Sequence, residues 1–381
     1  MNETLRLGHI AGIRIGVNWS VLVIFTLILV GLAAGRFPLD YPGLDPVAYA
    51  VAGGVAAVVF FLSLLAHEMA HAIVARRNGI AVEGITLWLF GGVAKLLGEA
   101  DDPGADLRIA GVGPLVSLVL GAGFAVLALA AGGLGLEGLP VGVLGWLAVI
   151  NVVLAVFNLV PAAPLDGGRI LRALLWRRRG DRTSAAITAA RAGRTFGFVL
   201  VGLGLLEIIL VPGFAGLWFV LIGWFIVTAA GAEEQYARVQ GALAGVRVSD
   251  VMTRDPVAVP PTLLVSDLLD DYIWRNRFSA FPVVDPYGHV HGLVTLNRLK
   301  EVPPERRGQL TVSDIACPLD EVPQATSEQY LLDLLIEMQG GEDGRALVLD
   351  AGRLVGIVSP RDVARMLELA QLRSSVDRSH V

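Results

Sequence analysis

Two histidines and a glutamate, His67-Glu68-Met69-Ala70-His71, close an apolar run from Val47 to Ala66 that carries no charged side chain. Helical residues four apart share a face, so both imidazoles can ligate one metal ion. Glu68 can then take a proton from water at that metal as a general base. A catalytic zinc takes three protein ligands and leaves a position open, so one further ligand is needed. The other histidines, His9, His289, His291 and His380, fall outside the apolar runs. Asp166 is the best acidic candidate, in the stretch NLVPAAPLDGGR from Asn158 to Arg169 at the end of a later apolar run. Pro161 and Pro164 break a helix and the glycines permit a sharp turn, so the carboxylate can point back into the bundle. One Zn²⁺ with ionised Glu68 and Asp166 sums to zero charge, whereas two buried carboxylates alone would repel or protonate. Plainer readings stand beside these: Asp-Gly as a turn, and Asn158 as a hydrogen-bonding residue between helices. A place for Asn158 beside the reacting carbonyl is favoured.

The elements that must hold these groups are membrane spans. The 381 residues are 54% hydrophobic and 17% charged, below what a soluble chain of this length carries. About six spans are expected, near 18–35, 47–76, 108–131, 140–162, 192–211 and 214–232. Arg6 and Arg14 precede the first, Arg76 and Arg77 follow the second, and eight arginines from Arg169 to Arg194 separate the fourth from the fifth. The opposite connections hold only Arg36. The positive-inside rule then puts both termini in the cytoplasm of a multi-pass plasma-membrane protein. The stretch from Gly79 to Lys95 is too short to cross twice and rich in β-branched and aromatic residues. It reads as a re-entrant β-hairpin near the metal, with an interfacial hairpin as the alternative. Cys317 is the only cysteine, which excludes an intrachain disulfide or a cysteine-ligated zinc. Gly193 and Gly197 form a GxxxG pair, a hint of helix association.

Charge becomes frequent after about residue 243, and a strand-and-helix alternation begins. Val248-Ser249-Asp250 and Val312-Ser313-Asp314 open two units of about sixty residues with matching landmarks. The expected organisation is a membrane domain over 1–235, a linker over 236–247, repeat copies over 248–305 and 309–372, and a flexible tail over 373–381.

The two membrane motifs resemble those of the site-2 protease family of intramembrane zinc metalloproteases. That resemblance implies zinc ligands at His67, His71 and Asp166, a catalytic base at Glu68, and a match of Asn158 to the asparagine opening the second motif. Phe90, Gly91 and Gly92, with Val93 and Ala94, resemble the hairpin that aligns substrate, and Gly113-Pro114-Leu115 resembles a third-span signature. Residues 245–370 resemble a tandem pair of cystathionine-β-synthase (CBS) domains, an adenine-nucleotide-binding regulatory module. Ser359 and Asp362 fit its nucleotide motif in the second copy. In the first copy Thr295 fits, but Arg298 replaces the acid.

The fold expected is therefore a polytopic α-helical membrane protein with a C-terminal α/β CBS pair. Its expected chemistry is hydrolysis of a peptide bond in or near a transmembrane segment, with one catalytic Zn²⁺ and adenine nucleotide at the CBS pair. The expected partners are the lipid bilayer and a membrane-protein substrate, such as an anti-sigma factor or another tethered regulator. A homodimer through the CBS pair or the spans is a further expectation, and no nucleic-acid partner is expected. The competing classes are a nucleotide-gated transporter or channel and a catalytically dead scaffold.

Overall fold

The computed structural model describes residues 4–89, 91–96, 98–210, 215–338 and 341–378. The chain divides into two compact units, Met1–Ala237 and Arg238–Val381. Six helices of the described residues are long and apolar enough to cross a membrane, from Val21–Asp40 to Gly216–Leu243.

The first unit opens with β1 (Leu5–Ile10) and β2 (Ile13–Val17), before α1 (Val21–Val30) starts the first span. A long helix, α2 (Pro46–Arg77), carries both histidines. Asp45 caps it by accepting from Val47 N at 2.7 Å, with Pro46 at the first helical position. It stops at Asn78, and Gly79 turns the chain out with φ +81°. Then come β3 (Val82–Trp88) and β4 (Gly91–Leu96), α3 (Pro103–Gly133) and α4 (Leu139–Asn158). A short amphipathic helix, α5 (Asp166–Arg179), precedes α6 (Arg182–Leu210) and α7 (Ala215–Leu243).

The expected hairpin is present, yet it is half of a larger sheet ordered β1-β2-β3-β4. β2 runs parallel to β3, with Ile15 opposite Ile85, and β3 pairs antiparallel with β4, with Leu87 opposite Gly92. Ile13, Ile15, Ile85 and Leu87 pack on Leu64, Met69 and Ala72 of α2, which seats the sheet against the histidine helix. β4 is left as an edge.

α6 and α7 approach closely because glycines meet. A Cβ on Gly204 would overlap the Gly216 carbonyl, and one on Gly223 the Gly197 carbonyl. Gly193 is filled just as tightly by the Ala163 carbonyl. The GxxxG pair is thus engaged inside the chain.

In the second unit the repeat copies exchange strands. The sheet of β6 (Ala280–Val284) and β7 (Val290–Thr295) is completed by β8 (Cys317–Pro318) from the start of the second copy. The sheet of β9 (Gln324–Ala325), β10 (Ala346–Asp350) and β11 (Arg353–Val358) is completed by β5 (Thr253–Arg254) of the first. Helix α8 (Leu331–Met338) packs Leu331, Leu334 and Met338 on Val348 and Val358, and α9 (Pro360–Arg378) follows β11.

Candidate metal centre and active site

His67 and His71 are buried on one face of α2 with ring centroids 4.8 Å apart. Their Nε2 atoms lie 3.1 Å from each other. Asp166 Oδ2 lies 3.1 Å from His67 Nε2 and 3.2 Å from His71 Nε2. Among the described residues these three form the one cluster able to hold a metal ion.

For His71 the outer ring nitrogen settles what the inner one presents. His71 Nδ1 lies 2.6 Å from the Ile109 carbonyl, which can only accept, so Nδ1 carries the proton and a neutral ring keeps Nε2 as a lone pair. His67 Nδ1 bonds Ser117 Oγ at 2.9 Å. With both rings in that tautomer, three acceptor atoms converge with no hydrogen between them, which is repulsive unless a cation sits there. Tetrahedral zinc with ligands at ~2.1 Å sets ligand atoms roughly 3.4 Å apart, close to the separations found. The space exists because residue 113 has no side chain: a Cβ on Gly113 would fall against both Nε2 atoms. The donor set, its spacing and the glycine-sized void fit zinc.

Asp166 reaches this point through a clamped loop. α4 ends at Asn158, and the carboxylate stands on the first residue of α5 instead of extending the fourth span. Ala162 and Ala163 of the connection are buried, and Ala163 N donates to Ala189 O of α6 at 3.2 Å. A Cβ on Gly167 would overlap the Leu159 and Val160 carbonyls, and one on Gly168 the Ala163 backbone. The two glycines after the aspartate are therefore demanded by close backbone approach. A buried ion pair fixes the same helix from the other side. Asp106, 1% exposed in the first turn of α3, accepts from Arg172 at 2.9 and 2.8 Å and from Arg169 at 3.3 Å.

Glu68 is half-buried, and its side chain lies where a Cβ on Gly92 would sit, so the edge strand β4 passes directly over it. Gly91, with φ +135°, opens that strand opposite Trp88. Phe90 lies outside the described residues. Asn158 is not brought to the cluster by any described hydrogen bond. Its amide donates to Leu154 O of its own helix at 3.1 Å. A second amide, Asn151, is fully buried; it donates to Leu147 O at 2.8 Å and leaves Oδ1 without a partner.

Ser117, the Ile109 carbonyl, Asp106 and the two arginines are the supports that motif reading passed over. Ser117 was visible as a lone hydroxyl in an apolar run, and Asp106 as an acid in the first turn of a span. The Ile109 carbonyl has no side-chain signature at all.

In the second unit, Ser359 N and Oγ both donate to Asp362 Oδ2, at 2.9 and 2.5 Å, and Thr253 Oγ1 donates to Oδ1 at 3.1 Å. These residues line a cavity of about 510 Å³ with Arg277, Arg345 and Arg361. Thr295 is buried elsewhere, capping the short helix Leu296–Lys300, and does not line this cavity. Arg298 donates to Ile315 O at 3.4 Å in the place of the missing acid. Asn297 instead donates to Asp343 Oδ1 at 2.7 Å, so a carboxylate from the second copy stands beside the first motif.

Comparison with known proteins identifies the family. The family model described as Peptidase family M50 matches residues 55–138 and 136–202, and the CBS domain model matches 248–305 and 312–369. The zinc metalloprotease Rip3 of Mycobacterium tuberculosis is 47% identical over 98% of this chain and 95% of its own length. A zinc metalloprotease of Methanocaldococcus jannaschii is 28% identical over 99% of both chains. A solved site-2 protease from Methanocaldococcus jannaschii covers 60% of this chain and 94% of its own, at 28% identity and a TM-score of 0.43. The chain belongs to peptidase family M50, the site-2 proteases, as a multi-pass zinc metalloprotease of intramembrane type followed by a CBS pair.

Proposed function

We propose that His67, His71 and Asp166 hold one catalytic zinc and that Glu68 is the general base for hydrolysis of a peptide bond in a transmembrane segment. The observation carrying this reading is the convergence of three acceptor atoms within 3.2 Å of one another beside Glu68, which lies under an open sheet edge. When bound, zinc supplies Lewis-acid chemistry: it acidifies water and polarises the scissile carbonyl. Glu68 would take the water proton as the water oxygen bonds to the carbonyl carbon, and would pass it to the amine nitrogen as the C–N bond breaks. Ser117 and the Ile109 carbonyl keep both imidazoles turned inward. A helical substrate hides its carbonyls in intrahelical bonds, so it must unwind locally. Gly91 and Gly92 of β4 then receive the extended strand by main-chain hydrogen bonds, and the missing side chain at Gly92 lets that strand lie close to Glu68.

The substrate proposed is a membrane-tethered regulator such as an anti-sigma factor. The bias of arginines towards one side of the spans supports a cytoplasmic location for both termini and the CBS pair. Adenine nucleotide is proposed to bind the cavity at Ser359 and Asp362, with regulation of proteolysis as its role. What supports this is the cavity's size and its arginine-rich lining.

Two measurements test the reading. Glu68→Gln should retain stoichiometric zinc by elemental analysis and lose about 10²–10⁴-fold in cleavage rate. Asp166→Ala should lose the zinc itself. An E68Q enzyme cutting at the wild-type rate would refute the base assignment. For the CBS pair, Asp362→Ala in the full-length protein should weaken ATP or AMP binding by calorimetry, and no wild-type binding at millimolar nucleotide would remove the regulatory proposal.

A further inference from the structure

Helix α2 ends in two arginines with different surroundings. Arg76 donates to the Ala11 carbonyl in the β1–β2 turn at 2.7 Å. Arg77 has no ion-pair partner among the described residues. On the neighbouring helix α3, Arg108 donates to neutral Asn78 Oδ1 at 2.6 Å. The Arg77 and Arg108 side chains line one open cavity of about 650 Å³ between the end of α2 and the start of α3. Its remaining walls are Asn78 and apolar residues including Val74, Val112 and Leu115, with no carboxylate. The acids at the start of α3 form no salt bridge with Arg108, although Asp102 Oδ1 and Arg108 Nη1 both flank Gly104. Asp102 caps the helix, accepting from Gly104 N at 2.7 Å and Ala105 N at 2.9 Å, and Asp106 is held by Arg172.

The apolar floor continues along the outer face of α3. A Cβ on Gly111 would meet nothing within 4 Å, and Leu115 is 58% exposed. Two guanidiniums at the end of a span, neither in a salt bridge among the described residues, beside an open apolar groove, suit one kind of occupant. Guanidinium forks match phosphate oxygens, and basic pockets between transmembrane helices take anionic head groups. A small aqueous anion gains nothing from Val112 and Leu115. An apolar substrate helix would bury both arginines without a counter-charge.

We propose that this groove is a binding site for an anionic phospholipid, with the phosphate and head group between Arg77 and Arg108 and an acyl chain along Val112 and Leu115. The lipid would brace the two helices that supply His67, His71, Ser117 and the Ile109 carbonyl. The site stands on the groove alone and does not depend on the metal assignment.

The test is native mass spectrometry of the full-length protein titrated with phosphatidylglycerol or phosphatidylcholine. Wild type should retain one phosphatidylglycerol in preference to phosphatidylcholine, and excess inorganic phosphate should not displace it. R77Q/R108Q should lower phosphatidylglycerol retention roughly 30-fold, as expected for two surface charges, and leave phosphatidylcholine unchanged. R77K/R108K should keep most of the preference. Val112→Trp, which fills the groove without touching its charge, should also lose the bound lipid. Equal phosphatidylglycerol retention by wild type and R77Q/R108Q would overturn the proposal. So would displacement by phosphate, or replacement of the lipid by an uncharged transmembrane peptide.

Discussion

At His67 and His71 the useful chemistry lies in which nitrogen faces inward, and that is set by partners on another helix. The Ile109 carbonyl dictates the His71 tautomer, and Ser117 Oγ holds His67 Nδ1. Such orienting groups around a metal are typically worth 10–100-fold in metal affinity. Ser117→Ala should therefore weaken zinc retention against a competing chelator by about 10–100-fold, while Ser117→Thr, which keeps the hydroxyl, should restore most of it. An unchanged chelator titration in S117A would mean that the hydroxyl merely fills space. The histidine pair and Asp166 were legible in the sequence because metal ligation needs particular side chains at particular spacings. Their supports were less so, because one is a backbone carbonyl and another a serine that could equally bond its own helix.

Among the elements, the six spans and the β3–β4 hairpin were visible as long apolar runs and as a short β-branched stretch. Two features were not. β1 and β2 precede the first span and complete the sheet, and Ile13 and Ile15 in them are as buried as any core residue. Helix α5 was hidden because the arginines Arg177, Arg178 and Arg179 read as a loop marking orientation, although they form its last turn. Basic residues are favoured there by the helix dipole. The helix is needed because Asp166 must approach His67 from outside α4. The Asp106–Arg172 pair ties α5 to α3, and removing one partner of a buried pair leaves the other unpaired. Arg172→Ala should destabilise the membrane unit by about 3 kcal/mol. Arg169 remains beside Asp106, so the loss should sit at the low end of such effects. Thermal unfolding of the purified protein checks this, and R172K should recover only part, since a lysine cannot reproduce the two-pronged contact.

For the whole molecule, two units of unlike composition meet different solvents. In the CBS unit, hydrogen bonds from the Thr311 hydroxyl and amide to Asp314 hold its carboxyl below the ordinary value of 3.8. A depressed carboxyl contributes stability above its unfolded value, and that contribution is lost as pH falls through the lower folded value. The wild-type thermal midpoint should therefore drop as pH falls below the ordinary carboxyl value of 3.8. Asp314→Asn, which keeps an acceptor but no charge to titrate, should show a shallower fall. Parallel curves would mean that Asp314 contributes nothing to acid sensitivity. The strand exchange between copies, with β5 completing the sheet of the second and β8 that of the first, joins the two copies through shared sheets.

The amino-acid sequence alone determined the membrane class, the repeat, the residue types able to hold a metal and the carboxylate next to them. Hydropathy, periodicity and ligand chemistry act over a few neighbouring residues and leave their marks locally. Only the tertiary structure decided that Asp166 arrives on a separate helix, that Gly113 leaves the space between the imidazoles, and that Gly92 lays an edge strand over Glu68. Those facts depend on how closely distant backbones approach, and a glycine reads the same in sequence whether it faces open solvent or makes room for an ion.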